Sequence, residues 1–283
     1  MEFVPALFIQ EVLALVKWPE SAPLLLTLWG KVARREAAKK DATLIIDMYR
    51  DKKDYFSLRP HNTKETAPDD LCSWASYAIV RIRICSEIRR SFSSKRVPVT
   101  SESIDFLQNC LRNNFRPITV DVQNGIPEDR PYLAALLSRI SWISELLTRT
   151  GNTKLFFKLG LRAIKMTTLE VFYHVSEVEV DHELLDTFVD FIKSKNFRSL
   201  CIIIGETNPV PYRSIVEQVA KTLGDKTPKE IGITVDYETW LQLNQKTRFS
   251  YNSWAPPRSF SVDLKSFSSH TFMKNHCRAV GRL

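Results

Sequence analysis

The stretch His182-Glu-Leu-Leu-Asp186 sets a histidine and a glutamate side by side, with an aspartate one helical turn after the histidine. A zinc-protease helix needs a second histidine at that last position, so Asp186 leaves the ligand set incomplete. Around it lie Glu177, Glu179, Asp181 and Glu183, with His174 nearby in sequence. Such a group can hold a divalent cation, but carboxylates are also what the positive end of a helix dipole favours in a first turn. The second reading is the stronger. His270, His276 and Cys277 have no partner pair at ligand spacing, so no metal is expected. Phosphate-cradling loops need glycines five or fewer residues apart, and of the eight glycines no two lie closer than Gly224 and Gly232. No G-x-S-x-G nucleophile elbow is present. These residues point to neither a catalytic site nor a cofactor, and the chain reads as a non-enzyme.

Charge is the other candidate chemistry. The net charge is +8, and two segments more than account for it: Lys31–Lys40 carries +4 and Arg81–Arg96 carries +5. Lys31, Arg34, Arg35, Lys39 and Lys40 in the first, and Arg81, Arg83, Arg89, Arg90, Lys95 and Arg96 in the second, form a candidate basic patch for a phosphate backbone. The alternative is structural: a solvated helix face and a half-buried strand, with Ile82 and Ile84 alternating with Arg81 and Arg83. No aromatic stacking platform accompanies the charge, which favours the structural alternative.

Composition bounds the rest. With 283 residues, 44% of them hydrophobic, the chain is long enough to bury a core in one or two domains. Five cysteines, an odd number, suit a reducing compartment rather than a disulfide framework. The N-terminal stretch carries Glu2 and Glu11 and lacks a basic n-region, against a secretory signal. No window is apolar enough for a membrane span. A protein of cytoplasm or nucleus is expected.

The elements that must position these groups are announced by a repetition. FLQNCLRNNFRPITVDV from Phe106 and FVDFIKSKNFRSLCIII from Phe188 align without a gap. The first half of each has helical spacing and the second alternates, so each reads as helix, short turn, strand. Phe157, Leu161, Leu169, Val171 and Tyr173 fit the same pattern, as do Val219, Leu223, Ile231, Ile233 and Val235. Leu169, Leu200 and Ile231 stand 31 residues apart each time. The interval from Ile118 to Leu169 has room for one more unit if the segment around Ile143 is a strand rather than the end of a helix begun at Pro131. One strand and one helix per period predicts an α/β fold with an irregular leucine-rich-repeat-like strand-helix solenoid.

Before the repeats, Val4, Phe8, Val12, Leu15 and Val16 have helical spacing, and a second helix follows from about Leu24. TLIIDMY and YFSLRP around DKKD predict a hairpin, and YAIVRIRI a strand. The serines of SSKRVPVTSES offer a cap for the first repeat helix. YETWLQLNQKTRF is expected to be a final helix closing the stack, and the tail beyond Leu264 reads as irregular. The organisation expected is a short helical module over 1–42, a strand-helix repeat region over 43–264 and a tail over 265–283.

The V-P opening, the L-x-x-L-W-x-x-V-A second helix and the F-[LV]-x-x-[CI]-x-x-x-N-F-R-x-[IL]-x-[IV] phrase together resemble the lineage-expanded F-box-like proteins of nematodes. That resemblance implies that Pro5, Leu7, Val12, Leu13, Leu25, Leu28, Trp29 and Val32 dock on the Skp-type adaptor of a cullin-type ubiquitin ligase. It also implies that the repeat region holds a target protein. The same apolar residues can instead be the end-cap of the chain's own core. The function expected is a substrate-recognition adaptor, with a basic nucleic-acid-binding protein as the alternative.

Overall fold

The structure, a computed structural model of the chain, describes residues 28–49, 53–62, 70–86, 96–114, 116–123, 130–148, 154–204, 208–223, 230–235, 250–252 and 260–263, together with Ile9 and Val12. It is a mixed α/β protein whose helices alternate with mostly parallel strands. Two compact units divide at Ser176/Glu177.

The first unit contains α1 (Leu28–Ala37), β1 (Lys40–Met48), β2 (Tyr55–Pro60), β3 (Tyr77–Ser86), β4 (Val97–Pro98), α2 (Ser101–Arg112), β5 (Ile118–Gln123), α3 (Pro131–Ser138), β6 (Ile143–Thr148), α4 (Lys154–Lys165) and most of β7 (Val171–Val178). Its strands run in the order β7-β6-β5-β3-β1-β2-β4. From β1 to β7 through β3, β5 and β6 every pairing is parallel, while β2 and β4 are antiparallel additions at one edge. The expected hairpin around DKKD is the β1–β2 pair, and β6 with α3 fills the interval after Ile118.

Alternation along these strands separates two sides of the sheet. Leu44, Ile82, Val120, Leu146 and Phe172 lie in register across five strands, and none is more than 1% exposed. The next row on that side is Ile46, Ile84, Val122, Thr148 and His174, at most 3% exposed. Two bulges keep the rows aligned, one at Val80 opposite Ala42/Thr43 and one at Ser144 opposite Ile118/Thr119. Each absorbs one extra residue, without which every later side chain on that strand would swap sides.

Helices cover the apolar side. The steps β3 to β5 to β6 to β7 all move in one direction, and right-handed crossovers therefore place α2, α3 and α4 on the same side of the sheet. Gly160 of α4 shows how closely they pack: a Cβ there would come within 2.8 Å of the Phe172 ring and 3.1 Å of Leu146. Thr100 and Ser103 cap α2 reciprocally, each hydroxyl accepting from the other residue's backbone N–H. Two arginines close helix C-termini. Arg116 donates to the carbonyls of Glu36, Ala37 and Lys39 after α1 and pairs with Asp41, and Arg162 donates to those of Leu137, Ser138 and Ile140 after α3.

The hairpin is locked by a buried ion pair. Asp54 Oδ2 lies 2.5 Å from Arg130 Nε, with the two side chains 3% and 5% exposed. The remaining lone pairs are filled by Tyr49 N–H at 2.9 Å and Tyr132 O–H at 2.8 Å, and Arg130 also donates to the Tyr49 carbonyl at 2.7 Å. Only such complete satisfaction makes a buried pair tolerable. Burial, followed by the Asp54 hydrogen bond, pushes the Tyr132 hydroxyl far above its ordinary pKa.

The repeated Asn-Phe-Arg phrase closes a helix-to-strand turn in both copies. Asn114, 6% exposed, donates from its amide to the carbonyl of Ile79 at 2.8 Å, tying the turn to β3, while Arg116 caps α1. In the second copy Phe197 packs edge-on against Phe191, ring centroids 5.0 Å apart.

The second unit holds α5 (His182–Lys193), β8 (Ser199–Ile204), α6 (Tyr212–Leu223), β9 (Glu230–Val235), β10 (Ser250–Asn252) and β11 (Phe260–Asp263). β8 and β9 are parallel, and β11 then β10 join antiparallel beyond β9. Asn208 accepts from the Val180 N–H and donates to the carbonyls of Val180 and Val210. Leu200, Ile202 and Ile204 are buried as their alternation predicts. The third copy is different. Phe157, Leu161, Val171 and Tyr173 are only half-buried, and Phe156, Leu159, Phe172 and His174 point inward instead. Apolar residues run through both phases there, so alternation is ambiguous, and the pairing of Leu146 with Phe172 decides the register. The helix expected over YETWLQLNQKTRF and the 265–283 tail lie outside the described residues.

Gly160→Ala is expected to destabilise the protein by a net ~1 kcal/mol or more. The fully buried Phe172 ring must move, at an overpacking cost of about 1–3 kcal/mol that outweighs the roughly 1 kcal/mol gained in helix propensity. Urea unfolding measures this, with a larger loss for Gly160→Val and partial recovery in the Gly160→Ala, Phe172→Leu double variant.

Candidate functional site

The side of the first unit's sheet away from α2, α3 and α4 is polar. Thr43, Arg81, Thr119, Glu145 and Val171 form one row across it, and Ile45, Arg83, Asp121, Leu147 and Tyr173 the next. On β3, β5, β6 and β7 these residues are half-buried, apart from the buried Asp121. They are the out-of-phase residues of strands whose other phase is the core. Alternation therefore makes the apolar side and the polar side at the same time.

Neighbouring strands bind one another through this side. Thr119 Oγ1 donates to Glu145 Oε2 at 3.1 Å and Arg83 Nε lies 3.7 Å from Asp121 Oδ2, while within β5 Gln123 Nε2 donates to Asp121 Oδ2 at 3.0 Å. At the carboxyl ends of the strands Asp47, Cys85 and Gln123 stand in one row. Burial raises the Asp47 pKa, and Arg96, 3.9 Å away, works against that rise. Burial, reinforced by the Asp47 charge, pushes the Cys85 thiol up to about 12. It is held as the unreactive thiol. Burial likewise takes Cys110 to about 11.

On the helix side, Thr148 and His174 are a polar pair within an apolar row. Thr148 Oγ1 lies 2.7 Å from His174 Nδ1 and donates to the Tyr173 carbonyl at 3.1 Å, so its oxygen accepts from an Nδ1–H imidazole. Phe157 and Phe172 stack beside the ring at 5.2 and 5.9 Å between centroids. Burial lowers the His174 pKa to about 4. His174 is therefore neutral near pH 7. Asp181 is the N-cap of α5, accepting from Leu184 N–H at 2.8 Å, and Glu183 lies in the first turn, the role the dipole argument assigns to these acids. Among the described residues no three histidine, cysteine or acidic side chains gather as metal ligands.

The residues singled out in the sequence fall in several places. Lys31, Arg34 and Arg35 are exposed on α1, Lys39 reaches Glu36 at 2.6 Å, and Lys40 opens β1. Arg81 and Arg83 stand together on the polar side of β3, while Arg96 pairs with Asp47 and lies over the Tyr49 ring. Arg89, Arg90 and Lys95 lie outside the described residues. So do Pro5, Leu7, Leu13 and Leu25 of the F-box-like set. Val32, 5% exposed, packs with Ile9 and Ala33, and the partly buried Leu28 and Trp29 lie against that cluster. Val12 is half-buried.

Thr119, Asp121, Gln123, Glu145 and Tyr173 were not among the expected site residues. Their signal was present as the second phase of the same alternation, but nothing in one sequence says which phase meets a partner. Comparison with protein-family models, curated proteins and solved structures returned no match. No helix among the described residues is long and apolar enough to cross a membrane.

Two solution measurements follow. A histidine whose folded pKa lies below its ordinary 6.5 contributes stability that is complete above about pH 6.5 and is lost as pH falls through about 4. The loss at full protonation is on the order of 3 kcal/mol. Unfolding free energies across that window are expected to fall with acid, and His174→Leu to flatten that slope whatever its own effect at neutral pH. Timed alkylation at pH 8 followed by peptide mass spectrometry is expected to label exposed Cys72 early and buried Cys85 only when the fold opens.

Proposed function

We propose that the protein is a non-enzymatic interaction protein, a substrate-recognition adaptor of a cullin-type ubiquitin ligase. In this reading the N-terminal helical segment holds a Skp-type adaptor, and the polar side of a leucine-rich-repeat-like strand-helix region holds a target. The observation that carries the reading is the one-sided cover of the first unit. Three helices lie on one side of the parallel sheet, and the other carries charged, hydroxyl and aromatic side chains that are half-buried on β3, β5, β6 and β7, with Thr43, Ile45 and Asp121 buried among them. Rigid strands that offer individually chosen side chains at fixed spacing are suited to reading another protein's surface. The groups that chemistry would use are turned away from it: two thiols are held protonated and the buried imidazole is held neutral.

The basic segments are partly consumed within the fold. Arg83 and Arg96 face carboxylates, and Lys39 is bound to Glu36. That weighs against the alternative of a nucleic-acid-binding protein, whose affinity would fall steeply with salt.

Co-purification tests the reading. The full chain is expected to retain a Skp-type adaptor, and a Leu28→Asp, Trp29→Asp variant with an unchanged circular dichroism spectrum is expected to lose it. Failure of the native chain to retain the adaptor overturns the ligase assignment. Salt-sensitive retention of duplex nucleic acid by the native chain would favour the alternative.

A further inference from the structure

Arg81 differs from the other arginines of the polar side. It is half-buried on β3 and its side chain makes no hydrogen bond or ion pair among the described residues, whereas Arg83, next along the same side, faces Asp121 at 3.7 Å. Moving across the sheet from Arg81, the row passes Thr119, then Glu145, and ends at Val171, with Leu147 and Tyr173 in the adjoining row. The side is thus graded, cationic at β3, acidic at β6 and apolar at β7.

This gradient specifies a ligand. A half-buried guanidinium with no partner among the described residues is best matched by a carboxylate, which it can grip with two parallel N–H bonds. A single cation at β3 with apolar side chains at β6 and β7 fixes the direction of the ligand and disfavours a uniform polyanion such as a nucleic-acid backbone. β3, β5 and β6 are each hydrogen-bonded on both edges, so the ligand cannot join them as a strand and must be read by side chains. Three strand spacings separate β3 from β7, about 14 Å, which an extended chain covers in about four residues.

Resting on the reading of the chain as an interaction protein, we infer that this side binds an extended acidic segment of a partner protein laid across the strands. A carboxylate sits on Arg81. About four residues further along, an aliphatic or aromatic side chain sits on Leu147, Val171 and Tyr173.

The test is selection of a random 12-residue phage-displayed peptide library on the full chain, followed by titration of the best synthetic peptide. Enriched peptides are expected to carry Asp or Glu about four residues from a large apolar residue. Arg81→Glu and Arg81→Ala, checked by thermal melts, are expected to weaken that peptide on the order of tenfold or more. A peptide with its acid changed to Lys is expected to regain affinity for Arg81→Glu, and Tyr173→Ala to weaken binding without changing the charge preference. Peptides that lack the acidic residue, or that bind Arg81→Glu as tightly as the native chain, overturn the inference and leave the interaction reading standing. No enrichment overturns the inference and also removes the peptide-reading role of this side, while adaptor retention tests the ligase assignment separately.

Discussion

The first unit depends on the row Leu44, Ile82, Val120, Leu146 and Phe172. Five strands place an almost fully buried side chain at the same level, and each contributes about 1.5–3 kcal/mol by leaving water. Because strand side chains alternate strictly, fixing this row fixes the opposite one, and Arg81, Thr119 and Glu145 are brought level as a consequence. The bulges at Val80 and Ser144 belong to the same constraint. They let strands with one residue too many rejoin the row instead of turning their apolar side to water. The close approach of Gly160 to Phe172 is a local expression of it, since α4 can descend on the row only where a side chain is missing.

Several of the protein's cations are spent within its own architecture. Arg116 and Arg162 fill the open carbonyls at helix ends, and burial lowers the Arg162 pKa. Arg130 is enclosed with Asp54 at the base of the hairpin, where removal of either partner would leave a buried charge alone. A surplus of basic residues is therefore a poor guide to an anionic partner unless each cation is followed to its contacts. For the Arg81 side chain that search finds no partner among the described residues.

Elements were more legible in the sequence than their orientation. The hairpin, the strand through Arg81 and Arg83, and the paired helix-strand units around Ile118 and Leu200 follow directly from apolar spacing. Where a segment is apolar in both phases, as in Val171-Phe172-Tyr173, spacing alone picks a side at random, and only pairing with β6 resolves it. The Asn-Phe-Arg repetition marks a real turn, but its cause is long-range: Asn114 bonds to a strand 35 residues away in sequence. The surface that could meet a partner is harder still to see. Its residues are polar at alternate positions, which is what any solvated sheet requires, and Arg81 is distinguished from the paired Arg83 only by its neighbours in space.

The short strand β4 has a consequence beyond the hairpin it borders. It covers only the Tyr55–Phe56 end of β2, and Pro98 supplies no N–H there. Further along the same strand, the outward-facing stretch carries the exposed Arg59 and ends in Pro60. A charged side chain and two prolines interrupt what would otherwise be a continuous template of backbone donors and acceptors. At this margin the protein is guarded against self-templated polymerisation: a loose strand from another copy would find too few consecutive partners to nucleate a fibre.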